Sequence, residues 1–443
     1  MTSSAGHRWQ QNYRQKLGSV SEAVRFVEPG TTVYLSGNAA TPHALTEALA
    51  DRAAELADVR AAHVLLLGKD PFAQGAARDA FSHLSFFAGP GDREAMLERR
   101  AEYLPCHLSD IPMLLRSGRP QVDVAMLTVA PPDDHGMMSL GCEVLASLAA
   151  AESARKVVVQ VNPAMPRVHG DCYLHVDDVD AIVECEQPLT ELISPPPSET
   201  ELAIARHIVS LIPDGATLQL GIGGIPNAVV SLLGERRDLG VHSEMISDGV
   251  MNAYEAGILT GRRKTFHKGK VVTTFALGSR EFYDWIDDNA AIEAHPCDHT
   301  NDPTVAARND RLISINSAIS IDLTGQVNAD SIGHRIYSGV GGQLDFVRAA
   351  RMSREGRSII AMPSTAQRGA VSRILTRLAE GAGVVTTRAD IDTVVTEYGV
   401  AEMTGRTLNE RIESLIAIAA PSFQGELEAS VEDVMQSVVS HRT

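Results

Sequence analysis

The sequence carries little cysteine and no paired pattern of it. Cys106, Cys142, Cys172, Cys185 and Cys297 are odd in number and scattered, without a Cys-x-x-Cys. They read as reduced core residues, neither a disulfide framework nor a zinc site. No apolar run approaches the roughly 18 residues of a membrane span. The segment Met1-Thr2-Ser3-Ser4-Ala5-Gly6-His7-Arg8 lacks the apolar centre of a signal peptide, so the cytoplasm is the expected compartment. Basic charge is scarce as well: 39 Lys and Arg stand against 56 Asp and Glu, a formal balance of −17. That argues against nucleic acid or an anionic membrane as the main partner, while a phosphorylated small molecule needs only a local basic pocket. The chain has no Gly-x-Ser-x-Gly elbow, which removes the best support for a hydrolytic triad around Asp134-His135-Gly136 and Ser139.

What is present fits an ordinary soluble globular protein. At 443 residues, 44% hydrophobic and 21% charged, the chain has room for about two or three domains with their own cores. An internal repeat organises it. Glu28-Pro29-Gly30-Thr31-Thr32-Val33-Tyr34-Leu35 is a turn feeding a strand, then Ser36-Gly37-Asn38, then a helix from Pro42-His43. Pro213-Asp214-Gly215-Ala216-Thr217-Leu218-Gln219-Leu220 repeats the pattern into Gly221–Gly224 and a helix at Pro226. The stiff Ser194-Pro195-Pro196-Pro197 marks the boundary, giving expected domains 1–193 and 194–443, and Ser198 with Glu201 reads as a capping box. β-branched runs at 63–67, 122–129 and 156–161, then 217–220, 271–277, 312–315, 358–362 and 393–395, alternate with helical stretches. Two similar open α/β domains with mainly parallel sheets follow, with ligands expected beyond the strands' carboxyl ends and in the cleft between domains.

The chemistry concentrates between Gly221 and Gly249. In Gly221-Ile222-Gly223-Gly224-Ile225-Pro226 the paired glycines let successive N–H groups converge on an oxygen, and the following helix adds its positive end. The third glycine of a dinucleotide fingerprint is missing at Pro226-Asn227, against a Rossmann NAD site. His242-Ser243-Glu244-Met245-Ile246-Ser247-Asp248-Gly249 places one carboxylate beside an apolar run. Glu244 reads as a strand-tip nucleophile, a cap, or the partner of Asp248 on one helical face. Ser338-Gly339-Val340-Gly341-Gly342-Gln343 is a second loop suited to a phosphate, an oxyanion or an amide. His295, Cys297, His299 and Asp302 match no zinc spacing and read as a capped loop; no metal is expected. Arg262-Arg263-Lys264 through Lys270 reads as a solvated hairpin.

Taken together, these segments resemble the acetyl-CoA hydrolase/transferase family, class I CoA-transferases that include 4-hydroxybutyrate and butyryl-CoA:acetate CoA-transferases. Asn316-Ser317-Ala318, Asp322-Leu323-Thr324-Gly325-Gln326-Val327-Asn328-Ala329, Met362-Pro363-Ser364-Thr365-Ala366 and Thr396-Glu397-Tyr398-Gly399-Val400-Ala401 extend the likeness. The resemblance implies that Glu244 is the glutamate that carries a glutamyl-CoA thioester. It implies backbone oxyanion donors at Ile222, Gly223, Gly341 and Gly342, and CoA or substrate contacts at Gly221, Gly224, Gly339, Gln343, Ser364 and Asn316. Acyl-CoA and small carboxylic acids would be the substrates, with no cofactor beyond coenzyme A, in a homodimer or larger homo-oligomer. Hydrolysis of acyl-CoA and non-catalytic CoA binding are the alternatives. His334, Cys297 and His299 depart from the glycine, valine and tyrosine expected of relatives, leaving the acceptor acid open.

Overall fold

Valine-rich runs buried on both faces build the two large sheets among the described residues. Its computed structural model describes residues 6–193, 195–221 and 223–439. The chain divides into two units, one of Met1–Ile193, Glu244–Asp248 and Val271–Thr300, the other of Ser194–Ser243, Gly249–Lys270 and Asn301–Thr443. The expectation of a continuous second domain carrying the glutamate is therefore corrected: Glu244 belongs to the first unit. The reason is pairing. Met245–Ile246 lies parallel to Phe275–Ala276, and Glu143 bridges Phe275, so these short strands join the fold begun by the N-terminal half.

The first unit holds a parallel sheet ordered Ala181–Glu184, Lys156–Val161, Val124–Val129, Thr32–Leu35, Val59–His63, Phe81–Ser85 and Ala101–Tyr103. Every residue of Val124–Val129 is buried, as a central parallel strand requires. In the second unit the order runs Gly399–Glu402, Thr393–Thr396, Arg357–Ala361, Leu312–Ser317, Thr217–Leu220 and Gly240–His242. Its pairings are parallel except at Gly399–Glu402.

The two sheets share one plan. Thr32–Leu35 sits between the next strand in sequence and Val124–Val129; Thr217–Leu220 sits likewise between Gly240–His242 and Leu312–Ser317. Each leads through a small-residue turn to a helix, His43–Asp51 or Gly224–Ser231. The capping box at Ser198 is present: Glu201 N–H donates to Ser198 Oγ at 3.3 Å and Ser198 N–H to Glu201 Oε2 at 2.7 Å. One strand was misplaced by sequence reasoning: the run at 63–67 marks the end of Val59–His63, whose Arg-Ala-Ala centre has little β-propensity.

At the carboxyl ends of Val59–His63 and Phe81–Ser85 lies a buried polar cluster. His63 Nε2 is 3.1 Å from His83 Nδ1 and 3.4 Å from Asp92 Oδ1, while Asp92 Oδ2 accepts from Ser85 Oγ and Gly89 N–H. Burial holds His63 down at about 4 from the ordinary 6.5, against the opposing pull of Asp92. The unfolded chain thus takes up a proton that the native state refuses. Stability present above pH 6.5 is lost as the pH falls towards 4, by roughly 3 kcal/mol in total. His63→Gln is expected to flatten that acid slope in thermal melts between pH 7 and 4; an unchanged slope would refute this assignment.

Candidate active site

Glu244 occupies a bend between Gly240–His242 and Met245–Ile246 and is half-buried. Its main-chain carbonyl accepts from Thr274 N–H, Phe275 N–H and Thr273 Oγ1, each at 3.1 Å. Three donors on one carbonyl fix the backbone at Glu244. Of the sequence alternatives the strand-tip placement holds, since Glu244 directly precedes the strand Met245–Ile246; a shared helical face with Asp248 does not, because the helix Asp248–Glu255 begins after Glu244. Asp248 is engaged elsewhere, accepting from Ser279 N–H at 3.1 Å and from Ser279 Oγ. That removes it as an acid–base partner.

The remaining expected site residues belong to the second unit. Gly221 follows Leu220 at the carboxyl end of its strand; Ile222 lies outside the described residues. Gly223 is exposed and takes φ 114°, ψ −175°, a conformation open only to glycine, as the cap of the helix Gly224–Ser231. The first N–H groups of that helix have no preceding carbonyl to bind and face outward from its positive end. Ser243 Oγ donates to Leu220 O at 2.9 Å and accepts from Leu220 N–H at 3.1 Å. The residue before Glu244 is thus locked to the residue before Gly221.

The second glycine loop reaches the same sheet one strand over. Gly341, at φ 59°, and Gly342 lead into the helix Gln343–Met352. Gln343 Nε2 donates to Ser317 O at 2.7 Å, tying the helix start to the end of Leu312–Ser317. Gly339, Gly341, Gly342 and Gln343 are buried. Asn316, on that same strand, donates to Gln219 Oε1 at 3.0 Å and to Ser314 Oγ at 2.8 Å. Ser364, beyond the neighbouring strand Arg357–Ala361, is clamped by Glu397 through its N–H at 2.8 Å and its hydroxyl at 2.6 Å. Asn316, Gln343 and Ser364 therefore shape the loops with their side chains.

Other sequence candidates resolve structurally. The run from Arg262 is not solvated throughout: Lys264 is buried, its ammonium donating to Val241 O at 2.7 Å and Lys270 O at 2.8 Å. A lysine tolerates such burial when carbonyls take its protons. Asp302 caps Pro303–Ala306, and Cys297 Sγ donates to Leu108 O at 3.0 Å. His135 is exposed in a turn where its N–H donates to Asp133. His334 is exposed and packs against Gly381.

Comparison with known proteins decides the lineage. The acetyl-CoA hydrolase/transferase N-terminal domain matches residues 1–194 and the corresponding C-terminal domain residues 278–431. The 4-hydroxybutyrate coenzyme A transferase of Clostridium kluyveri is 43% identical over 95% of this chain and 98% of that protein. This chain belongs to the acetyl-CoA hydrolase/transferase family. Butyryl-CoA:acetate CoA-transferase of Anaerostipes caccae is 38% identical over 96% of this chain and 97% of its own length. The crystal structure of RipA from Yersinia pestis superposes with a TM-score of 0.91 at 36% identity, covering 96% of this chain and 99% of that one. Within this acetyl-CoA hydrolase/transferase chain, sequence reasoning missed Gln219, Thr273 and Glu397 as the side chains that set the loops. Gln219 carries a signal, a polar residue inside a fully buried strand, and Glu397 lies within Thr396-Glu397-Tyr398-Gly399.

Proposed function

We propose that this chain is a CoA-transferase that moves CoA between a short-chain acyl-CoA and a carboxylate of the acetate, butyrate or 4-hydroxybutyrate type. Glu244 attacks the thioester carbonyl, forming a mixed anhydride and releasing CoA thiolate. The thiolate attacks the glutamyl carbonyl, giving a glutamyl-CoA thioester and the free acid. The incoming carboxylate reverses both steps and departs as the new acyl-CoA, so the thioester energy is kept. Each addition passes through an oxyanion, the task assigned to the N–H groups at Ile222, Gly223, Gly341 and Gly342. Gly221, Gly224, Gly339, Gln343, Ser364 and Asn316 shape the CoA-binding surface. Coenzyme A takes part as substrate, with no further cofactor. The reading extends to a cytoplasmic homodimer or larger homo-oligomer; no helix among the described residues is long and apolar enough to cross a membrane.

The observation that carries this reading is the full-length kinship with CoA-transferases together with the fixed backbone of Glu244. Mass spectrometry after incubation with an acyl-CoA panel tests it. A CoA adduct on the Glu244 peptide, discharged by added acetate to acetyl-CoA, is the expected result. CoA released at the turnover rate without any acceptor acid would assign hydrolysis instead, and CoA binding without turnover of any thioester would leave a binding protein.

A further inference from the structure

The repeat gives the first unit a small-residue turn of its own, Ser36-Gly37-Asn38, at the end of Thr32–Leu35. In the second unit the matching turn is open at Gly223. In the first it is filled. Gly37 N–H faces the carboxyl of Glu143 and favours its charged form, while Ser147 Oγ donates to Glu143 Oε2 at 2.5 Å. Glu143 is fully buried, and its Oε1 has no hydrogen-bond partner among the described residues. Among the described residues no cation faces it: its titratable neighbours are Tyr34 from the strand, Cys142 beside it in sequence, and, against Tyr34, Cys297.

The segment carrying Glu143 is also the next layer behind Glu244. Glu143 bridges Phe275, Ala276 N–H donates to Cys142 O at 2.8 Å, and Val144 N–H to Thr274 O at 3.0 Å. Thr274 and Phe275 in turn donate to the Glu244 carbonyl. One ladder thus runs from residues 142–145 through 273–276 to 244–246.

We propose that Glu143 is a positioning residue for the reaction at Glu244, its neutral carboxyl occupying the first unit's turn and bracing the ladder that holds the nucleophile. Neutrality follows from the surroundings. Burial pushes the Glu143 carboxyl up to about 8, only partly opposed by Ser147 and Gly37 N–H. Burial also pushes Tyr34 and Cys142 well above their ordinary values, so neither charges across the same range. Once ionised, Glu143 places an uncompensated charge under the Glu244 ladder. The unfolded chain loses this proton near the ordinary 4.5. Stability conferred by the neutral acid is complete below that value and is lost as the pH rises through about 8.

Glu143→Gln preserves the shape and an acceptor for Ser147 Oγ but does not titrate. Its melting temperature is expected to gain on that of the wild type by roughly 5 °C between pH 5 and 8.5. The proposal rests on the CoA-transferase reading for its kinetic arm. There the wild type loses kcat on an alkaline limb near pH 8 that Glu143→Gln lacks, and Glu143→Ala lowers kcat by roughly tenfold to a hundredfold with little change in KM. Hydrogen exchange supplies an arm independent of activity: Glu143→Ala should speed exchange at the Thr274 and Phe275 amides. Identical pH–melting curves for wild type and Glu143→Gln overturn the proposal. So does a melting difference with unchanged alkaline limb and unchanged exchange, which leaves only a structural acid. Absence of transfer by the wild type with every acyl-CoA would overturn the transferase reading, and exchange at residues 274 and 275 would then decide the bracing by itself. Should Glu143→Ala fail to fold, exchange in wild type at pH 6 against pH 9, with Glu143→Gln alongside, decides in its place.

Discussion

Glu244→Ala should lower kcat for CoA transfer by about four orders of magnitude or more, while the melting temperature stays close to that of the parent. Removing a covalent nucleophile leaves only whatever binding and oxyanion stabilisation achieve without it, a residual that is small in well-studied acyl-transfer enzymes. The structural cost is expected to be low for a local reason. The main-chain carbonyl of Glu244, bonded by Thr273, Thr274 and Phe275, is retained by alanine. Glu244→Asp sharpens the test, because it keeps the carboxylate and withdraws it by one methylene. A loss of roughly a hundredfold is expected from misplacement of that size. Steady-state rates with acetyl-CoA and butyrate, read beside thermal melts, check both variants. Turnover by Glu244→Ala within tenfold of the parent would end the covalent mechanism.

Much of the architecture was legible because it rests on local patterns. Val124–Val129 and Lys156–Val161 announce themselves as β-branched runs, and Ser198 with Glu201 spells out a helix start. The repeat of strand, small-residue turn and helix is local too, and it anticipated the shared order of the two sheets. What escaped depends on partners far away in sequence. Met245–Ile246 is two residues long, too short to declare which sheet region it joins, and only its pairing with Phe275–Ala276 settles the unit to which Glu244 belongs. The candidate site divides in the same way. Glu244 and the glycine loops were visible in the sequence because their residue types limit what the backbone and side chain can do. Gln219 with Asn316, 97 positions apart, and Ser364 with Glu397, 33 apart, hold those loops through hydrogen bonds that no local spacing encodes. Lys264 and Glu143 show the limit most clearly. Composition sends a lysine or glutamate to the surface, and only the surrounding carbonyls, hydroxyl and N–H explain why these two are buried.

Gly223→Ala is expected to reduce kcat/KM by roughly a hundredfold to a thousandfold, the range seen when one oxyanion donor is lost. An added Cβ at Gly223 would meet no heavy atom within 4 Å, so crowding is not the cause. The cause is the backbone: φ 114° with ψ −175° is closed to alanine. The turn must rotate to relieve strain of about 1–3 kcal/mol, turning its N–H away as it does so. Two neighbouring glycines provide the controls. Gly234 also has open space around it, without a positive φ, and Gly234→Ala should leave turnover within about twofold of the parent. At Gly224 a Cβ would collide with the Glu201 carboxylate that completes the Ser198 capping box. Gly224→Ala should therefore cost about 1 kcal/mol of stability through the lost cap. The separation lies in kcat against KM. If the turn stabilises an oxyanion, Gly223→Ala loses kcat with KM nearly unchanged, because the donor acts only as charge develops on the oxygen. If the turn merely grips CoA, the loss appears in KM, and the oxyanion role assigned to Gly223 is wrong.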